Sequence, residues 1–321
     1  MADNNNDDDG GVQFVEVNGA RLAYRIAGPA GAPLFITLHG GRGMGRWTSG
    51  RNQDYLMNAR GPTTGDHRSD FKAYSPLSAS AVGDERGGYR VLSFDYRGHG
   101  RSSAAKPYTF SQIVDDVEGL RAHFAKDGEK VVICGGSFGG FLALEYAIRY
   151  AERVGWLVLR GTAASWHQEE DAIKVLEQRL DRAPSFSVRM LREKVFGRFE
   201  SDLEFQLVHM AMMPLYSEAF DADQALRSCL GNVYNAESHN DLYSESEKYF
   251  DYRDQLSQIT AKTLVIVGDK DWICPPENSE LIASKIPDAT LMVVKNANHS
   301  VHLEKNEEVI NRIRSHLETT Q

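Results

Sequence analysis

The chain has 321 residues, of which 41% are hydrophobic and 25% charged, which suits one large α/β domain or a core carrying an insertion and excludes a fibrous or broadly disordered chain. A formal net charge of -9 argues against a general affinity for nucleic acid or anionic membrane, since both reward a basic face. Three scattered cysteines (Cys134, Cys229, Cys274) exclude a disulfide framework or a zinc site.

Residues 1–11, MADNNNDDDGG, read as a flexible acidic tail without the basic-then-apolar layout of a secretory signal. No apolar run approaches the roughly 20 residues that span a bilayer. The expectation is therefore a soluble, cytoplasmic protein. Residues 12–27 give two strands joined at Asn18-Gly19, a strong hairpin signal. PLFITLHGG is a short apolar run stopped by glycine, as in a buried strand, and YRVLSFDYRGHG repeats that design. Between them, residues 46–68 have no useful periodicity and stay unassigned.

A helix follows with Ile113, Val117, Leu120 and Phe124 on one face. Then come strand KVVICG, a helix from Phe138 and strand GWLVLRG. After a gap the alternation resumes with strand KTLVIVGD, helix ENSELIASKIP, strand TLMVVKN and a closing helix. Apolar strands alternating with amphipathic helices predict a mostly parallel sheet covered on both faces, with the opening hairpin as an antiparallel edge. The expected core is residues 12–161 and 260–321. Residues 162–259 carry helical patterns without a clear buried strand and are expected to form an inserted cap.

The chemistry centres on GGSFG, a G-x-S-x-G match lying between a strand and a helix. A strand that turns straight into a helix strains the backbone at Ser137 and leaves no room for side chains at Gly135 or Gly139. In return the hydroxyl stands at the strand's carboxyl end, beside a helix N-terminus that favours developing negative charge. A serine needs a base and an orienting acid, which in this motif follow in the order acid, then histidine. DKDWICPP supplies Asp271 in a loop after a strand, with Asp269 at the strand end as a turn-capping alternative. NANHSVHLE supplies His299 as base, and His302 as a helix-start or packing histidine. Backbone donors for an oxyanion are expected from Phe138, after the serine, and from Gly41 in HGGRG.

These elements resemble the α/β-hydrolases, and within them the proline iminopeptidase branch: HGGRG is similar to that branch's H-G-G-P-G, and GGSFGG to its elbow. DYRGHGRSS, LRGT, GDKDWICP and NHSVHLE match general patterns of the superfamily, so the likeness covers nearly all of the chain after the tail. It implies the α/β-hydrolase fold, a Ser137–His299–Asp271 triad and no cofactor. Two departures bear on substrate. Arg42 replaces the proline of the oxyanion loop, and the acids that the branch uses to bind a free amino terminus are missing where expected. Trp272 follows the catalytic acid, and Cys229 falls at the loosely aligned cap position, with Glu237 or Asp241 nearby as substitutes.

An unpaired buried ammonium costs several kcal/mol, roughly. Trp272 suits an apolar or aromatic acyl group, and Arg42 or Arg46 could grip a substrate carboxylate, with a surface ion pair as the plainer reading of both. Cys274, near Asp271, is read as a small buried packing residue or as one that touches the pocket, and the methionines of MAMMPLYSEAF as core or as an adaptable pocket wall. No residue cluster suggests a metal, and no G-x-G-x-x-G suggests a dinucleotide. The expected function is a serine hydrolase cleaving an ester or lactone of a small metabolite. The alternative is an iminopeptidase acting on a short peptide, and a third is a non-catalytic ligand-binding member of the fold.

Overall fold

A computed structural model describes residues 12–46, 72–79 and 88–318. Apart from Arg46, whose backbone is described, the unassigned stretch 46–68 lies outside those residues, as does the acidic tail. The opening hairpin forms where Asn18 and Gly19 both take positive φ, 47° and 75°, the geometry that joins two twisted strands most tightly. Those strands are Gln13–Val17 (β1) and Ala20–Ala27 (β2). Further strands follow at Leu34–Leu38 (β3), Met44–Arg46 (β4), Arg90–Phe94 (β5), Val131–Gly136 (β6), Val154–Arg160 (β7), Asn232–Tyr234 (β8), Lys262–Gly268 (β9) and Ala289–Val294 (β10).

Eight of them make one sheet in the order β1-β2-β5-β3-β6-β7-β9-β10. Pairing is antiparallel from β1 to β2 and from β2 to β5, and parallel everywhere else. The strand period of two assigns the side chains to layers. From β3, Leu34, Ile36 and Leu38 join a core with Ile113, Val117 and Leu142, whereas Phe35 faces the opposite layer with Val309 and Ile313. Helices Phe110–Phe124 (α1) and Phe138–Arg149 (α2) belong to the first of these layers. The sheet is thus covered on both faces, which is why its central strands read as continuous apolar runs.

Between β7 and β9 the chain builds helices Gln168–Glu177 (α3), Asp202–Met212 (α4), Ala222–Gly231 (α5) and Ala236–Leu242 (α6). Three of them start on a side-chain cap: Ser201, Asp221 and Asn235 accept from the N–H groups of Glu204, Gln224 and Ser238 at 3.1, 3.0 and 3.1 Å. This layer has its own core, with Leu176, Leu191, Phe205 and Leu215 closing over Trp272 and Ile273. One element here was not expected. Strand β8 pairs antiparallel with β4, tying the segment to the HGGRG loop. Three residues are too few to leave a period-two signal, so only the pairing reveals it.

The last helices are Pro276–Lys285 (α7) and Asn306–Glu318 (α8). The expected single closing helix is interrupted at Lys305, leaving a short turn of helix at Val301–Glu304 before α8. No described helix is long and apolar enough to cross a membrane.

Candidate active site

Ser137 sits between β6 and α2 at φ 53°, ψ −123°, a backbone conformation that costs on the order of 1–3 kcal/mol and persists only where its surroundings enforce it. Those surroundings are glycines and backbone. A Cβ on Gly139 would run into the carbonyls of Leu38 and His39, and one on Gly135 would meet the Gly139 carbonyl and lie 2.7 Å from the Ala143 Cβ. The Ser137 N–H donates to the carbonyls of Arg160 and Gly161 at 3.0 and 3.1 Å, anchoring the elbow to the end of β7.

Gly161 also connects the elbow to the other two candidates. A Cβ there would lie 2.8 Å from Asp271 Oδ2 and 3.3 Å from His299 Nδ1, so only glycine lets the three loops converge. Asp271, 2% exposed, lies in the loop after β9; His299, 6% exposed, lies in the loop after β10. His299 Nδ1 is 2.9 Å from Asp271 Oδ2 and 3.0 Å from Oδ1. Asp271 Oδ1 also accepts from the N–H groups of Ile273 and Cys274 at 3.1 and 2.9 Å. A buried carboxylate with these donors holds the imidazole in one orientation, with Nδ1 toward the carboxylate and Nε2 turned away from it. Asp269 is not part of this set. It lies beside Lys295 at 3.8 Å.

Gly41 has φ 80° and opens the HGGRG loop over the elbow; a Cβ on the preceding Gly40 would sit 3.7 Å from Ser137 Oγ. Among the described residues neither the Gly41 nor the Phe138 N–H finds an acceptor, which leaves both available to an oxyanion. The loop is held from below by a residue that sequence reading did not single out. Gly43 N–H donates to His99 Nε2 at 2.8 Å, and the other ring nitrogen of His99 lies 2.9 Å from the Arg97 carbonyl. Burial, reinforced by nearby His39, lowers the His99 pKa to about 3, so the ring stays neutral and can accept. The RGHG motif was the available signal. From above, Asn235 N–H donates to the Gly43 carbonyl at 2.8 Å.

Ser137 and His299 open into one cleft of about 900 Å³, a figure that takes in open solvent as well. Its walls include Phe138, Phe141, Phe205, Met212 and Tyr216, with polar groups from Arg42, Gln168, His209 and His239. Among the described residues, every one that lines it is apolar, neutral-polar, histidine or arginine, and none is a carboxylate. The cap residues Gln168, His209 and His239 had no signal of their own, because only the packing of the cap over the sheet turns them inward. His302 also reaches the cleft while its ring stacks on Tyr74 at 5.9 Å between centroids.

Three sequence expectations change here. Trp272 does not line the cleft: it is fully buried behind it, edge-on to Tyr216 at 5.5 Å, because its loop turns inward once Asp271 has captured the following amides. Cys229 is bonded to the Tyr234 hydroxyl at 3.0 Å inside the cap. Glu237 and Asp241 both pair with Lys106 on the surface, at 2.9 and 3.0 Å. Neither can meet an amine in the cleft. Cys274 agrees with both readings given for it, being buried and part of the cleft wall.

A family model described as the alpha/beta hydrolase fold matches residues 64–306. The chain belongs to the α/β-hydrolase fold family. It is 64% identical over 307 residues to the proline iminopeptidase PfmaB of Pestalotiopsis fici, covering 96% of this chain and 99% of that protein. It is 26% identical to a proline iminopeptidase of Thermoplasma volcanium, covering 94% of each. A crystal structure of a hydrolase from Pseudomonas aeruginosa superposes with a TM-score of 0.65 at 23% identity, covering 97% of this chain and all of that one. The protein is an α/β-hydrolase enzyme that resembles the proline iminopeptidases.

Proposed function

We propose that this α/β-hydrolase is an aminopeptidase of the proline iminopeptidase type, releasing an N-terminal residue from a short peptide through an acyl-enzyme. The observation that carries this reading is the 64% identity, over nearly the whole of both chains, to a protein named as a proline iminopeptidase. Ser137 Oγ attacks the scissile carbonyl as His299 Nε2 takes its proton. The Gly41 and Phe138 N–H groups hold the oxyanion, and His299 returns the proton to the leaving amine. Water then clears the acyl-enzyme by the same route in reverse. One neutral acceptor that the cleft offers a substrate amine is Gln168, whose Oε1 is buried with no hydrogen-bond partner among the described residues.

An ester or lactone hydrolase is the second reading, and one observation favours it. Among the described residues no carboxylate lines the cleft, so none of them would pair with a charged amino terminus desolvated there. Prolyl-β-naphthylamide assayed beside aryl esters and lactones separates the two. Faster turnover of the proline amide is expected, and turnover of the esters alone would displace the aminopeptidase reading. Ser137→Ala should lower kcat on whichever substrate is cleaved by several orders of magnitude. A variant retaining full rate would remove Ser137 from the mechanism.

A further inference from the structure

Arg42 stands where the oxyanion loop enters the cleft and is only 5% exposed, yet it forms no ion pair with a described residue. Its guanidinium lies 3.8 Å from the Tyr243 ring centroid and within 5.1 to 5.9 Å of the Phe110, Phe138, Phe141 and Phe250 rings. Nη1 donates to the Leu242 carbonyl at 3.0 Å. Nε and Nη2 donate to no described residue. Two acids feel its charge, and each has another partner. Glu169 faces Lys248 at 3.5 Å, and Glu247 accepts the Phe110 N–H at 2.7 Å. Neither lines the cleft.

A buried guanidinium left without an anion is costly, and an aromatic cage offsets only part of that cost. The cage does something else as well. It fixes the plane of the group, so that the donors left over keep the fork geometry that matches a carboxylate. We propose that Arg42 is a substrate-recognition residue whose free donors bind a carboxylate carried by the substrate, beside the oxyanion hole. This rests on the hydrolase reading of the cleft. The carboxylate has two chemical sources: the C-terminus of a dipeptide, on the leaving side, or the far end of a dicarboxylic monoester, on the acyl side.

Binding is measured first, in Ser137→Ala, so that turnover is not required. By calorimetry, 4-phenylbutyrate should bind at least tenfold more tightly than 4-phenylbutyramide. Adding Arg42→Met should erase that preference, and Arg42→Lys should keep part of it, with thermal melts confirming that each variant folds. Equal affinity for the two ligands, or a preference that survives Arg42→Met, would overturn the proposal. Two substrate pairs then locate the carboxylate in the otherwise unchanged enzyme: prolylglycine against prolylglycinamide, and mono-4-nitrophenyl glutarate against 4-nitrophenyl valerate. A tenfold advantage in kcat/KM for the charged member of either pair, lost in Arg42→Met, supports the proposal and names the source; no advantage in either pair counts against it. A carboxylate preference in binding, with none of these substrates cleaved, would instead strike at the hydrolase reading alone.

Discussion

At Asp271 a single side chain performs two tasks that are separable by substitution. Its carboxylate orients His299, and its Oδ1 also receives two backbone N–H groups that shape the loop after β9. An amide in that position can still accept a backbone N–H, but it offers the imidazole the wrong partner. Asp271→Asn is therefore expected to keep a native circular-dichroism spectrum while kcat falls by about 10⁴, the scale of loss when a triad acid is neutralised. A loss of less than tenfold would leave Asp271 with a structural role only. Asp271, His299 and Ser137 were legible as candidates at strand ends, and the structure brings the first two into contact. Arg42 was legible as a charge, but not as a caged one, because its rings come from four separate segments of the chain.

Among the elements, the loop after β9 and the cap are the pair whose contact matters most. Trp272 enters the cap's core with Tyr216, and Tyr216 in turn lies edge-on to His299 at 5.6 Å. Trp272→Ala should cost about 3–5 kcal/mol, as truncating a large buried aromatic does, read as a lower denaturation midpoint. Because the indole lies behind the cleft, Trp272→Phe should leave the ratio of rates on short and long acyl esters unchanged. A shift in that ratio would return Trp272 to the pocket wall. The cap is secured at two further points. Asn235 Nδ2 and Ser238 Oγ both donate to the Gly98 carbonyl at 3.0 Å. Cap residue Glu218 accepts from Arg182 and from Asn298, each at 2.8 Å, and Asn298 Oδ1 accepts the His299 N–H at 2.8 Å. Cap and catalytic loops are thus one hydrogen-bonded assembly.

Over the whole molecule, three buried histidines make stability depend on pH. Burial holds His99 and His239 down to about 3 and His209 to about 4, from an ordinary value of 6.5. Folded, these rings stay neutral through mild acid, whereas in the unfolded chain they take up protons near 6.5. The unfolded state therefore binds more protons between those limits. Their contribution is complete above about pH 6.5 and falls as the pH drops, by up to about 1.4 kcal/mol per pH unit for each ring. Urea midpoints at pH 7.5 and 5.5 test this, against an opposite contribution from Asp116, Glu169 and Glu247, whose carboxyl pKa values burial raises. The midpoint at pH 5.5 should be clearly lower, and equal midpoints would mean that the rings are charged or solvated in the folded protein. Two of the three, His209 and His239, line the cleft, so its wall stays neutral at these rings through mild acid.

What the sequence determined by itself was whatever depends on neighbours in the chain. Apolar runs ending in glycine set the strands, the Asn18-Gly19 pair set the hairpin, and Gly135 to Gly139 set the strained elbow, because each follows from local sterics and periodicity. The order of Ser137, Asp271 and His299 at strand ends was readable for the same reason. Only the tertiary structure decided what faces the cleft. It turned Trp272 inward, sent Glu237 and Asp241 to Lys106, bonded Cys229 to Tyr234, and closed five rings around Arg42. Most of these directions are fixed by partners distant in the chain, Lys106 for Glu237, Tyr216 for Trp272 and Tyr243 for Arg42, and no local pattern encodes them.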